Sequence, residues 1–107
     1  MTDGQEWDID ALRAAARADF ATRLPLRIEG IERLAAEGQW VEARREIHKL
    51  RGSAATYGFE ELGAAATFLE ELLLAADGPP DPDARLRFDQ ALRRAHAQAD
   101  QAAREGL

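Results

Sequence analysis

Apolar residues recur at three- and four-residue intervals along most of the chain, the spacing of one buried face on an α-helix. Ile9, Leu12, Ala16 and Phe20 mark such a face over a helix predicted from about Trp7 to Phe20, and Asp8 or Asp10 can cap its start. Leu24, Ile28, Ile31 and Leu34 carry the pattern on, but Pro25 falls within it. A proline inside a helix removes a backbone donor and crowds the preceding turn, at about 3 kcal/mol. The expectation is therefore a break near Thr22 to Leu24 and a new helix with Pro25 in its first turn. Gly38 then ends that helix as a left-handed cap.

A third helix is predicted from about Trp40 to Thr56, its buried stripe being Trp40, Ala43, Ile47, Leu50, Ala54 and Tyr57, with Gly58 as the stop. Glu60 and Glu61 open a fourth, where acids suit the helix N-terminus. Its face is Leu62, Ala66, Leu69, Leu73 and Ala76. The run Asp77-Gly78-Pro79-Pro80-Asp81-Pro82 is a loop. A last helix from about Asp83 to Arg104 places Phe88, Leu92, Ala95, Ala99 and Ala102 on one side. Short connections between amphipathic helices favour antiparallel neighbours. The predicted fold is all-α: a single domain over residues 1–107, an antiparallel four-helix bundle with an additional N-terminal helix.

Composition agrees with helices and narrows the chemistry. Ala, Leu, Arg, Glu and Gln dominate, and no stretch alternates in the manner of a strand. With no cysteine, disulfides, thiolate metal sites and cysteine nucleophiles are excluded. A net charge of −6 argues against nucleic acid as a partner, since that requires a basic face. No apolar run is long enough to cross a bilayer, and the acidic N-terminus is unlike a signal peptide. A cytoplasmic monomer is expected.

The candidate chemistry lies in the third predicted helix, in His48-Lys49-Leu50-Arg51-Gly52-Ser53-Ala54-Ala55-Thr56-Tyr57-Gly58. His48 follows the core position Ile47 by about 100° of helix rotation, so it sits at the edge of the buried stripe and faces outward. Arg44, Arg45, Arg51 and Gly52 lie one turn away, and Ala55 lies two turns on. Taken singly, an exposed histidine and an Arg-rich helix face are ordinary solvated surface. The glycine is harder to set aside, because mid-helix it costs about 1 kcal/mol relative to alanine. Together these residues form a cationic face with a cleared approach, suited to an anionic group that must reach the imidazole.

The run His48-Lys49-Leu50-Arg51-Gly52-Ser53 resembles the His-x-Leu-Lys-Gly-Ser signature of histidine-containing phosphotransfer (HPt) domains, with Arg51 where lysine is commoner. The similarity extends through Tyr57-Gly58-Phe59-Glu60-Glu61-Leu62 to Leu69-Glu70, over roughly residues 40 to 74, with Tyr57 replacing the usual leucine. The resemblance implies a histidine phosphocarrier in a multistep two-component relay, with His48 as the phosphorylated residue. Its implied partners are response-regulator receiver domains and a hybrid sensor histidine kinase. It implies no cofactor on this chain, Mg2+ being expected on the receiver. Phosphoryl transfer needs in-line approach with the negative oxygens held by cations. Arg51, and less directly Lys49 or Arg44, are placed for that. Gly52 and Ala55 would let a partner loop come close. In related domains a Gln or Glu on the following helix hydrogen-bonds the imidazole, and Glu70 is the match here, the alternative being a solvated helix residue.

Two rival readings remain at this level: a phosphoacceptor domain excised from a hybrid or chemotaxis-type histidine kinase, and a non-catalytic helical adaptor bundle. No Gly-rich nucleotide loop accompanies the histidine, so the chain is expected to be a transfer intermediate rather than a kinase. His96 lacks the cations and glycine of His48 and reads as a helix-edge residue. No metal is expected, because Arg45 and Arg93 occupy the positions where a di-iron bundle would place glutamates.

Overall fold

The computed structural model describes residues 8–106. Trp7, expected to begin the first helix and anchor packing, lies outside them. Four helices follow one another: α1 (Ile9–Ala36), α2 (Trp40–Tyr57), α3 (Glu60–Ala76) and α4 (Pro82–Gly106). α1 packs on α4 and α2, and α3 on α2 and α4, so the helices close around one core with short connections at each end. There are no strands among the described residues.

The ends form as the local sequence dictates. Asp8 accepts a hydrogen bond from the Ala11 amide at 3.0 Å and caps α1. Gly58, at φ 78°, ends α2 in the left-handed conformation, where its amide reaches the carbonyls of Ala54 and Ala55. Asp81 accepts from the Ala84 amide at 2.8 Å, with Pro82 in the first turn of α4.

Among the described residues there is no separate N-terminal helix before α1. The break expected near Thr22 to Leu24 does not occur, and α1 runs for 28 residues with Pro25 inside it. The reason lies in register. Phe20, Leu24, Ile28, Ile31 and Ala35 are all buried on one uninterrupted face. Phe20 stacks on Tyr57 at 4.8 Å between ring centroids and meets Phe59 at 5.5 Å. A break would take Phe20 and Ala21 out of that line, and a fully buried aromatic side chain stabilises by about 1.5–3 kcal/mol. That gain, with the helical bonds on either side, offsets the donor lost at Pro25. The face does not stay buried toward the N-terminus. Ile9 and Leu12 are about half exposed, at 52% and 50%. α4 meets α1 as far as Gly106, which packs against Ala18 and Ala21.

The core is filled chiefly by Leu24, Ile28, Ile31, Ile47, Leu50, Leu69 and Phe88, all essentially inaccessible to water. Trp40 is half-buried and stands edge-on to Phe88 at 5.6 Å. No helix among the described residues is long and apolar enough to cross a membrane.

Candidate functional site

Ile47 and Leu50 are fully buried, and this fixes the rotation of α2 about its axis. His48, between them in sequence, emerges at the edge of the α2–α3 seam with its side chain 71% exposed. On α3, Leu69 points into the core and Glu70 faces the same seam from the other side, its side chain only 7% exposed. Glu70 is the one charged residue fully buried among the described residues.

Two partners hold it. Oε2 lies 2.7 Å from His48 Nδ1, and Oε1 accepts from Arg51 Nη1 at 2.9 Å. Burial pushes the Glu70 carboxyl upward, but the hydrogen bonds from Arg51 and His48 and their charges outweigh it and keep the carboxyl below its ordinary value. An ionised carboxylate can only accept, so the proton between the two side chains belongs to Nδ1. In the neutral ring the lone pair then lies on Nε2, away from Glu70.

The cations around His48 fall into two groups. Lys49 pairs with Glu46 at 3.1 Å, Arg45 with Glu42 at 2.8 Å, and Arg51 with Glu70. Arg44 forms no ion pair among the described residues. It lines a cavity of about 310 Å³ together with Val41, Arg45, His48 and Glu70. Arg51 and Lys49, also expected near a phosphate, do not line this cavity. On the other side of the histidine the surface is bare. Gly52 and Ala55 are exposed, and a Cβ added at Gly52 would meet nothing within 4 Å.

Sequence reasoning passed over an apolar surface beside the site. Val41 and Leu74 are 62% and 54% exposed. With Trp40, Arg44, Leu73, Asp77 and Gly78 they line a second cavity of about 340 Å³, and Val41 and Arg44 border both cavities. The available signal was spacing: Val41 lies two turns before His48 and Leu74 one turn after Glu70, both off the core stripe.

His96 is more constrained than its sequence context suggests. Half-buried on α4, it has Nδ1 2.9 Å from Glu32 of α1, with Glu29 at 3.8 Å and Asp100 at 3.6 Å from Nε2. The hydrogen bond to Glu32 raises its pKa; burial works the other way, and the charges of Glu32, Asp100 and Glu29 add to the rise. No glycine clears an approach beside it, and three carboxylates face its ring. Among the described residues no group of three or more His, Asp and Glu side chains is arranged to hold a metal ion.

Comparison with known proteins agrees with this geometry. The family model described as Hpt domain matches residues 8–102, nearly the whole chain. No curated protein and no solved structure matches it. An all-helical bundle carrying an exposed histidine on one helix, and a sequence that fits the Hpt model along nearly its entire length, together place this chain in the Hpt domain family, whose members act in histidine phosphotransfer in two-component signalling.

Proposed function

We propose that this chain is a cytoplasmic phosphocarrier that accepts a phosphoryl group on His48 Nε2 from the aspartyl phosphate of one receiver domain and passes it to the aspartate of another. The observation that carries the reading is the pairing of a largely exposed His48 with the buried carboxylate of Glu70.

In the forward step the Nε2 lone pair forms the N–P bond as the P–O bond to the donor aspartate breaks, and that aspartate leaves as a free carboxylate. The phosphorylated ring keeps its Nδ1 proton and so carries positive charge, which Glu70 balances at 2.7 Å. In the reverse step the N–P bond breaks toward an incoming aspartate and the lone pair returns to Nε2. The catalytic magnesium is expected on the receiver. The receiver would cover the exposed face around His48, with Gly52 and Ala55 leaving room for its surface on one side of the ring and Val41 and Leu74 as apolar contacts on the other. The interface is modest and short-lived, because a carrier must release one partner to meet the next.

Incubation with a receiver carrying labelled aspartyl phosphate tests this. Label should appear on the wild-type chain, resist base and be lost in acid, as a phosphoramidate is. His48→Gln should abolish it, whereas His96→Gln should leave it unchanged. Full labelling of the His48→Gln chain would overturn the assignment.

A further inference from the structure

We propose that the phosphoryl group on His48 occupies the cavity on the N-terminal side of the imidazole and is held there by Arg44, while Arg51 serves as a positioning residue acting through Glu70. The inference rests on the reading of His48 as the phosphoacceptor and deepens it by assigning the cations.

Four cations surround His48 in sequence, and ion pairing separates them. Lys49 and Arg45 are each engaged by a glutamate one turn earlier on α2. Arg51 is committed to Oε1 of Glu70, the carboxylate whose other oxygen holds the imidazole. Moving Arg51 onto a phosphate would strip a buried carboxylate of its charged partner, which is strongly unfavourable. Arg44 has no such commitment. It lies one turn before His48, on the same face, and lines a cavity of about 310 Å³ that also reaches His48 and Glu70. That cavity is roomy enough for a phosphoryl group.

Charge supports the division. Glu70 would repel phosphoryl oxygens, so a cation is needed on the side where they enter; Arg44 and Arg45 both line that side, and Arg45 is paired with Glu42 whereas Arg44 is not. A guanidinium offers paired donors in a plane, which suits two phosphate oxygens. Arg51, by contrast, fixes the carboxylate that fixes the Nδ1 proton. Its loss would act on which ring nitrogen is free, not on the oxygens directly.

Phosphoramidate, a small donor that needs no protein partner, tests the assignment. Nε2 forms the N–P bond while the donor's own P–N bond breaks and ammonia leaves. Phosphorylation rate and the nitrogen-15 shifts of the His48 ring are measured for wild type, Arg44→Ala, Arg44→Lys and Arg51→Ala. Arg44→Ala should slow phosphorylation roughly tenfold with the ring shifts unchanged. The loss is smaller than for buried oxyanion donors, because this cavity is open to water. Arg44→Lys should recover part of the rate. Arg51→Ala should shift the ring nitrogens toward a mixture of tautomers. A wild-type rate in Arg44→Ala, or ring shifts there like those of Arg51→Ala, would overturn the inference while leaving His48 as the acceptor. Labelling at a residue other than His48 in the wild type would instead remove the reading on which it rests.

Discussion

At the scale of single residues, the site depends on which side chains are present and which is missing. His48 is turned outward by its buried neighbours Ile47 and Leu50, and Gly52 leaves the next turn of α2 without a side chain. Gly52 has ordinary helical backbone, so its value is in the space it clears and not in conformation. Gly52→Ala should stabilise the protein by about 1 kcal/mol, since alanine is the better helix former and its Cβ would meet nothing. Gly52→Gln should slow exchange with a receiver several-fold while the thermal midpoint stays near that of the wild type. Transfer rates and melting curves for the two variants check this. An unimpaired Gln variant would mean the partner does not come over that surface. The histidine, its cations and the glycine were legible in the sequence because they share one helix, where spacing alone sets who faces whom. The distribution of ion pairs among those cations was not, since Arg51 finds its partner on α3.

At the scale of elements, α1 is where local rules and packing disagree. The cost of proline in a helix is real, and the core register across it is stronger. Leu24, Ile28, Ile31 and Ala35 continue the face begun by Phe20, and a pattern of that kind outweighs one missing donor when every member is buried. Proline is therefore tolerated here, not favoured. Pro25→Ala should raise stability by up to about 3 kcal/mol, because it restores the donor to the carbonyl of the preceding turn. Urea unfolding of the two proteins reads the difference. An unchanged or lower midpoint would show that α1 is built around the proline. The remaining elements follow their signals closely, for Gly58 and Asp81 act within a turn of where they stand.

For the molecule as a whole, stability should depend on pH through His96, which joins α4 to α1. Its folded pKa is raised by Glu32, with Glu29 and Asp100 facing the same ring. A group raised on folding stabilises fully below its unfolded value, about 6.5 for histidine, and that stability is lost as pH rises through the folded value. His96→Gln should therefore unfold more readily than the wild type in mildly acidic solution, and the gap should narrow as the solution becomes alkaline. Melting temperatures of both proteins across that range measure it. A gap that is constant with pH would mean that His96 contributes packing alone.

The sequence by itself determined what depends on neighbours within a turn or two: that the chain is helical, where α2, α3 and α4 begin and end, and that His48, Arg44, Gly52 and Ala55 share one face. Helical periodicity and capping are local physics, readable without knowing what the helix packs against. Tertiary structure alone decided the rest. It carried α1 straight through Pro25, since the worth of burying Phe20 depends on Tyr57 and Phe59 meeting it. It brought Glu70 to His48 and Arg51 to Glu70 across the α2–α3 seam, and it placed Glu29 and Glu32 of α1 beside His96 of α4. Each is a contact between helices, set by the rotation of one about its axis against another, and only the closed core fixes that rotation.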